Sequence, residues 1–179
     1  MKRYLANELQ NPNECAEFVS ILKREGVRSY LEIGSKFGGS LWQVAQALPP
    51  GSRLVSVDME IRPELEECAT DIRAMGHAIY LISGDSAHSA VVLEVSALGP
   101  FDAVLIDGNH AKPYPEQDWE NYGKARIVAF HDIGKSEILD LKPWRADVPA
   151  LWNSLKDKYR HVEIRAPKGG IGFGVLWRE

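Results

Sequence analysis

Glu32-Ile33-Gly34-Ser35-Lys36-Phe37-Gly38-Gly39-Ser40 joins two kinds of hydrophobic period. Before it, Tyr30-Leu31-Glu32-Ile33 is a short strand-like run. After it, Leu41-Trp42-Gln43-Val44-Ala45-Gln46-Ala47-Leu48 has the apolar spacing of a helix, closed by the turn Pro49-Pro50-Gly51. Gly34 lets the chain turn sharply, and Gly38 and Gly39 let the backbone approach a ligand with no Cβ in the way. The helix that starts there aims N–H groups and a partial positive charge at the same spot, which suits a carboxylate or phosphate. A plain strand-to-helix turn accounts for one or two glycines. Three, with Ser35 and Ser40 beside them, point to a ligand.

The same alternation continues on both sides. Upstream, Asn13 precedes an amphipathic segment from Glu14 to Lys23, giving a short N-terminal helix at about 13–25 that ends near Gly26. Downstream, Arg53 to Asp58 and His77 to Ile82 read as strands, Glu64 to Met75 and Ala87 to Leu98 as helices. Phe101-Asp102-Ala103-Val104-Leu105-Ile106-Asp107 and Arg126-Ile127-Val128-Ala129-Phe130 are nearly continuous apolar runs, as expected of central strands buried on both faces. Gly134 to Asp147 has neither period, and Val148 to Tyr159 is helix-like. His161 to Arg165 and Ile171 to Trp177 then form a hairpin about the turn Pro167-Lys168-Gly169-Gly170. These elements predict one domain over 1–179 of α/β class: a doubly wound, mostly parallel, seven-stranded sheet with a C-terminal antiparallel hairpin, Rossmann-like in plan.

Composition narrows the partners. The chain carries 25 acidic and 21 basic residues, a formal charge of -4, so it offers no electropositive field to gather nucleic acid or anionic lipid. Cys15 and Cys68 have no metal-type spacing and fall in helical segments, where a small buried apolar role is expected. The N-terminal segment lacks the apolar core of a signal peptide, and no stretch is long enough to span a membrane, so a reducing, cytoplasmic compartment is expected. A homo-oligomer is compatible with this composition.

In an open parallel sheet the ligand crevice lies outside the carboxyl ends of the strands. Asp58 ends the second strand about twenty residues past the glycine loop, with Met59 beside it, where a carboxylate accepts hydrogen bonds from both ribose hydroxyls. Gly84-Asp85-Ser86 ends the third, where Asp85 or Ser86 either meets an adenine amino group or caps the next helix. Dinucleotide sites favour G-x-G-x-x-G, yet Lys36 stands at the second glycine position, where a pyrophosphate would be crowded. The segment from Glu32 to Ser40 instead resembles the first motif of the class I S-adenosylmethionine-dependent methyltransferases. The resemblance extends to Asp58 as the ribose acid, to Gly84-Asp85-Ser86 on the adenine side and to the terminal hairpin. It implies that Glu32 and Gly34 line the methionine end and that Ser35, Gly38, Gly39 and Ser40 belong to the same cofactor site.

Leu105-Ile106-Asp107-Gly108-Asn109-His110 and Val128-Ala129-Phe130-His131-Asp132-Ile133 resemble the fourth and fifth strand ends of the small-molecule O-methyltransferase branch that includes cephalosporin hydroxylase-like proteins. In metal-dependent members, acids at these ends hold magnesium. Asp107 and Asp132 match such positions, while His131 departs from the usual carboxylate or amide. Methyl transfer from a sulfonium releases a neutral thioether, so the enzyme mainly positions a nucleophile and removes its proton. His110, in a glycine-containing loop after a strand end, is the expected base, with Asp107 beside it. The expected function is therefore transfer of a methyl group to a hydroxyl of a small molecule such as a sugar or secondary metabolite. Lys112 to Trp119 and Gly134 to Asp147 are expected to govern access. An NAD-dependent oxidoreductase and a non-catalytic S-adenosylmethionine-binding protein remain the alternatives.

Overall fold

In the computed structural model, which describes residues 2–6, 10–134, 147–166 and 171–178, the run before the glycine loop is β1 (Ser29–Ile33) and the helix after it is α3 (Gly39–Ala47). Preceding them are α1 (Arg3–Ala6) and α2 (Pro12–Arg24); the alternation then continues through β2 (Arg53–Asp58), α4 (Pro63–Ala74), β3 (Ala78–Ser83), α5 (Ser89–Ala97), β4 (Ala103–Ile106), α6 (Tyr114–Tyr122) and β5 (Ile127–His131). The chain closes with α7 (Val148–Leu155), a 3-10 turn at Lys156–Lys158, β6 (Arg160–Ile164) and β7 (Phe173–Trp177). One seven-stranded sheet results, in the order β3-β2-β1-β4-β5-β7-β6. Pairing is parallel as far as β5; β7 runs antiparallel to β5, and β6 to β7. This is the sheet expected from the sequence, hairpin included; its turn at 167–170 lies outside the described residues.

Every residue of β4 and β5 is buried, because helices cover both faces. One core joins α2, α3 and α4 to the sheet through Phe18, Leu22, Leu41, Leu65 and Ile72; the other joins α5 and α7 through Val91, Val95, Leu151 and Trp152. No described helix is long and apolar enough to cross a membrane. Both cysteines are buried, Cys15 on α2 and Cys68 on α4, where its Sγ donates to the Gly38 carbonyl at 3.3 Å.

The differences from the sequence reading have physical causes. The cap of α2 is Asn11, whose side chain accepts from the Asn13 N–H at 3.0 Å, because Pro12 suits the first helical position and lacks the N–H that would need a partner. The segment from Lys112 to Trp119, expected to govern access, runs into α6 (Tyr114–Tyr122), a helix with no apolar stripe because two of its inward positions are Asp118 and Tyr122. Asp102, expected inside a strand, instead precedes β4 and accepts the Arg28 and Ser29 N–H groups at 2.8 and 2.9 Å. His88 caps α5, so neither Asp85 nor Ser86 does.

Gly34 has φ 88, and a Cβ there would collide with the Asp107 carbonyl. At Gly51, φ is +79 and the space is open. Gly34→Ala is therefore expected to cost more than about 3 kcal/mol in urea unfolding, against roughly 1–2 kcal/mol for the conformational strain alone in Gly51→Ala. Equal losses would mean that no close approach exists at Gly34.

Candidate active site

Strand order reverses between β1 and β4, so the loops that leave them part and open a crevice. A cavity of about 570 Å³ lies there, the size of a cofactor site. The glycine loop contributes Gly34, Ser35, Gly39 and Ser40; β2 contributes Asp58 and Met59; β3 is followed into it by Gly84, Asp85 and Ser86. From the other half come Asp107 and His110 after β4, and His131 and Asp132 at β5.

Two expected residues do not face the cavity. Glu32 is fully buried beneath the loop, accepting from Tyr30 Oη at 2.7 Å and Ser40 Oγ at 2.8 Å. Burial pushes its carboxyl up to about 7, against those two hydrogen bonds. It shapes the wall from behind. Gly38, with φ 90, presses on α4: a Cβ there would meet Cys68 Cβ and Sγ at 2.9 Å. As the cap of α3 it offers no side chain, which leaves the first N–H groups of that helix without a side-chain partner beside the cavity.

Asp58 ties the two nearest loops together. Its Oδ2 accepts from Lys36 N at 2.7 Å and its Oδ1 from Glu60 N at 3.2 Å, and a carboxylate has lone pairs left for hydroxyls in the cavity. Lys36 takes φ 51, so the residue that breaks the dinucleotide pattern adopts the left-handed turn a glycine would favour. Gln10 also lines the cavity, and its Nε2 donates to Asp107 Oδ2 at 2.7 Å. No signal in the sequence links a glutamine before α2 to a strand end 97 positions away. Phe37 and Arg62 share the wall, the guanidinium 5.4 Å from the ring centroid.

Of the aromatic residues around the crevice, Tyr114 lines it, its hydroxyl 3.4 Å from Asp85 Oδ2. Trp119 packs on Phe130, Tyr122 donates to the Ser86 carbonyl at 2.6 Å, and Trp152 is a core residue donating to Glu163 at 2.7 Å. Trp144 and the rest of 135–146 lie outside the described residues.

The acceptor half is a cluster of two carboxylates and two imidazoles. His110 Nδ1 is 3.0 Å from Asp132 Oδ2 and its Nε2 3.3 Å from Asp107 Oδ1. His131 Nδ1 is 2.9 Å from Asp132 Oδ1 and 3.4 Å from Asp107 Oδ1. Burial alone would lower both imidazoles, but the two carboxylates outweigh it and raise them well above the ordinary histidine range. Burial would likewise raise both carboxylates, yet the histidines hold Asp107 and Asp132 below theirs. So arranged, the two acids favour the protonated form of His110. Asp132 sits at φ 60, a backbone state that aspartate tolerates better than most residues.

A family profile described as a methyltransferase domain matches residues 31–133. Among solved structures, the O-methyltransferase TomG of Streptomyces achromogenes, involved in tomaymycin synthesis and crystallised with S-adenosylmethionine, superposes with a TM-score of 0.73 at 20% identity, over 94% of this chain and 81% of that one. An O-methyltransferase from Bacillus cereus, in complex with S-adenosylhomocysteine, gives 0.70 at 16% identity, over 97% of this chain and 84% of that one. No curated protein sequence matches the chain.

Asp118 on α6 lies behind the cavity wall, fully buried, with no well-aligned hydrogen bond to either carboxylate oxygen among the described residues. Burial, helped by the charge of Asp85, outweighs the nearby Ser86 hydroxyl and pushes it from 3.8 up to about 6. The unfolded chain therefore ionises first: the stability is whole below about pH 4 and is lost as pH rises through about 6. Asp118→Asn is expected to raise stability at pH 7 by roughly 3 kcal/mol and to give no gain at pH 4, measured by urea unfolding at both. A gain independent of pH would assign the effect to packing.

Proposed function

The chain belongs to the methyltransferase-domain family, and from that premise we propose that it transfers the methyl group of S-adenosylmethionine to a hydroxyl oxygen of a small molecule. The observation that carries this reading is the division of the cavity. One half is a glycine loop with a ribose-type carboxylate, Asp58, and an uncapped helix start; the other is a charged cluster able to handle a proton. S-adenosylmethionine in crystals of the similar Streptomyces protein, and its demethylated product in the Bacillus one, support the choice of cofactor.

The residues divide the work. Asp58 accepts the ribose hydroxyls, and Gly34, Ser35 and the start of α3 receive the methionine carboxylate. Asp85 or Ser86 meets the adenine. Glu32 and Gly38 act as positioning residues, holding Ser40 and the turn in place. The acceptor oxygen attacks the methyl carbon in line, the S–CH3 bond breaks, and the electron pair returns to sulfur as a neutral thioether. The hydroxyl proton passes to His110 when that imidazole starts neutral, with Asp107 orienting it.

The cluster also fits a divalent ion. Asp107, His131 and Asp132 each offer one ligand atom, all within 4.8 Å of one another, and the buried Asp132 Oδ1 has no hydrogen bond although His131 Nδ1 is close by. A cation held by these three would lower the pKa of the acceptor hydroxyl.

Calorimetric titration with S-adenosylhomocysteine is expected to show micromolar binding, with no binding of NADH. Asp58→Ala should weaken the former about a hundred-fold, the cost of two charge-assisted hydrogen bonds. Tight NADH binding would replace this reading with hydride chemistry. With methyl-labelled cofactor and a panel of hydroxylated small molecules, His110→Ala should lower turnover by about a hundred-fold or more while retaining affinity for S-adenosylhomocysteine. Full turnover would remove His110 from the chemistry.

A further inference from the structure

The ion-binding corner of the cavity departs from an all-oxygen site at one position. Magnesium takes oxygen ligands in strict octahedral geometry and dehydrates reluctantly, so it gains little from an imidazole. Zinc, cobalt, nickel and ferrous iron gain much more from one. Here two of the three converging donors are carboxylates, and the third is His131 Nδ1.

That imidazole is held in place by packing. His131 is the last residue of β5, paired in register with Phe173 of β7, and its ring meets the Phe173 ring edge-on at 4.6 Å between centroids. His131 and Asp132 are only 8% and 5% exposed, yet both border the cavity. Their facing atoms, His131 Nδ1 and Asp132 Oδ1, are 2.9 Å apart without hydrogen-bond alignment, since Asp132 Oδ1 is unsatisfied. Two ligand atoms this close, at poor hydrogen-bond alignment, are placed to share a third partner. Gln10 and His110 hold the carboxylates from outside, Gln10 on Asp107 Oδ2 and His110 across both acids. Such outer contacts fix ligand orientation.

Resting on the reading of this cavity as the methyl-transfer site, we propose that its corner selects a first-row transition ion over magnesium, and that His131 Nδ1 is the ligand that sets the choice. Two carboxylates neutralise any divalent ion alike, so charge does not discriminate. The nitrogen does. Asp107 and Asp132 supply attraction, and His131 supplies preference.

The test is binding of metal alone, without turnover. The full chain, freed of metal with a chelator, is titrated with cobalt(II) and followed by its visible absorption, then challenged with magnesium. S-adenosylhomocysteine binding is measured on the same protein. Cobalt bands that survive about a thousand-fold excess of magnesium are expected, as is a loss of on the order of a hundred-fold in the cobalt-to-magnesium preference in His131→Asn. Displacement of cobalt by an equal concentration of magnesium overturns the proposal. So does an unchanged preference in a His131→Asn variant that still binds S-adenosylhomocysteine. The parent competition decides the matter if His131→Asn does not fold. Failure of the parent to bind cobalt, with S-adenosylhomocysteine bound, rejects the ion site and leaves the methyl-transfer reading intact. Cobalt binding with no affinity for S-adenosylhomocysteine supports the ion site and rejects that reading.

Discussion

Gly34 rests against the main chain of Asp107, and the site is organised around that contact. The sheet changes direction there: β1 pairs with β2 on one side and β4 on the other, so the segments leaving β1 and β4 diverge. Gly34 N donates to Val57 O at 2.8 Å and Asp107 N to Ile33 O at 2.9 Å, which carries the parallel ladder one residue beyond the strands. Because no Cβ stands at Gly34, the two loops can lie edge to edge. One then leads to the start of α3 and the other to the acid of the charged cluster. A side chain between them would push apart the two halves that have to face one substrate.

The halves differ in how they keep charge. On the glycine-loop side the acid is met by backbone: Asp58 receives two N–H groups, and the start of α3 has no side-chain cap. On the other side Asp107, Asp132, His110 and His131 balance one another within a few ångströms, two anions against two cations when both imidazoles are protonated. Buried charge is tolerable only when so compensated. A divalent ion with neutral imidazoles would preserve the same balance.

The N-terminal segment closes the arrangement. Lys2 and Tyr4 both bind Asp71 on α4, Lys2 at 2.7 Å and Tyr4 at 2.8 Å, while Gln10, just before the Asn11 cap of α2, reaches Asp107. The exposed ion pair contributes little by itself. Tyr4, fully buried and tilted against Trp42 at 5.4 Å, supplies the packing that fastens this segment to the cofactor half. The same stretch therefore touches the helix behind one half of the cavity and the acid at the head of the other.

The amino-acid sequence by itself determined the alternation of strands and helices, the antiparallel end and the polar strand ends, because period and glycine placement are local properties that the backbone obeys directly. Asp58, Gly84 to Ser86, Asp107, His131 and Asp132 were legible for the same reason: each ends or follows a strand, and in such a sheet that position faces the crevice. Tertiary structure decided the rest. Glu32 reads as a cavity acid but is turned beneath the loop, since successive strand residues face opposite sides and only packing says which side meets the ligand. Helix α6 was hidden because its buried face carries Asp118, an exception that no hydrophobic pattern reveals. The protonation of His110 and the place of Gln10 depend on groups brought together across the fold, so neither is a property of any stretch of sequence.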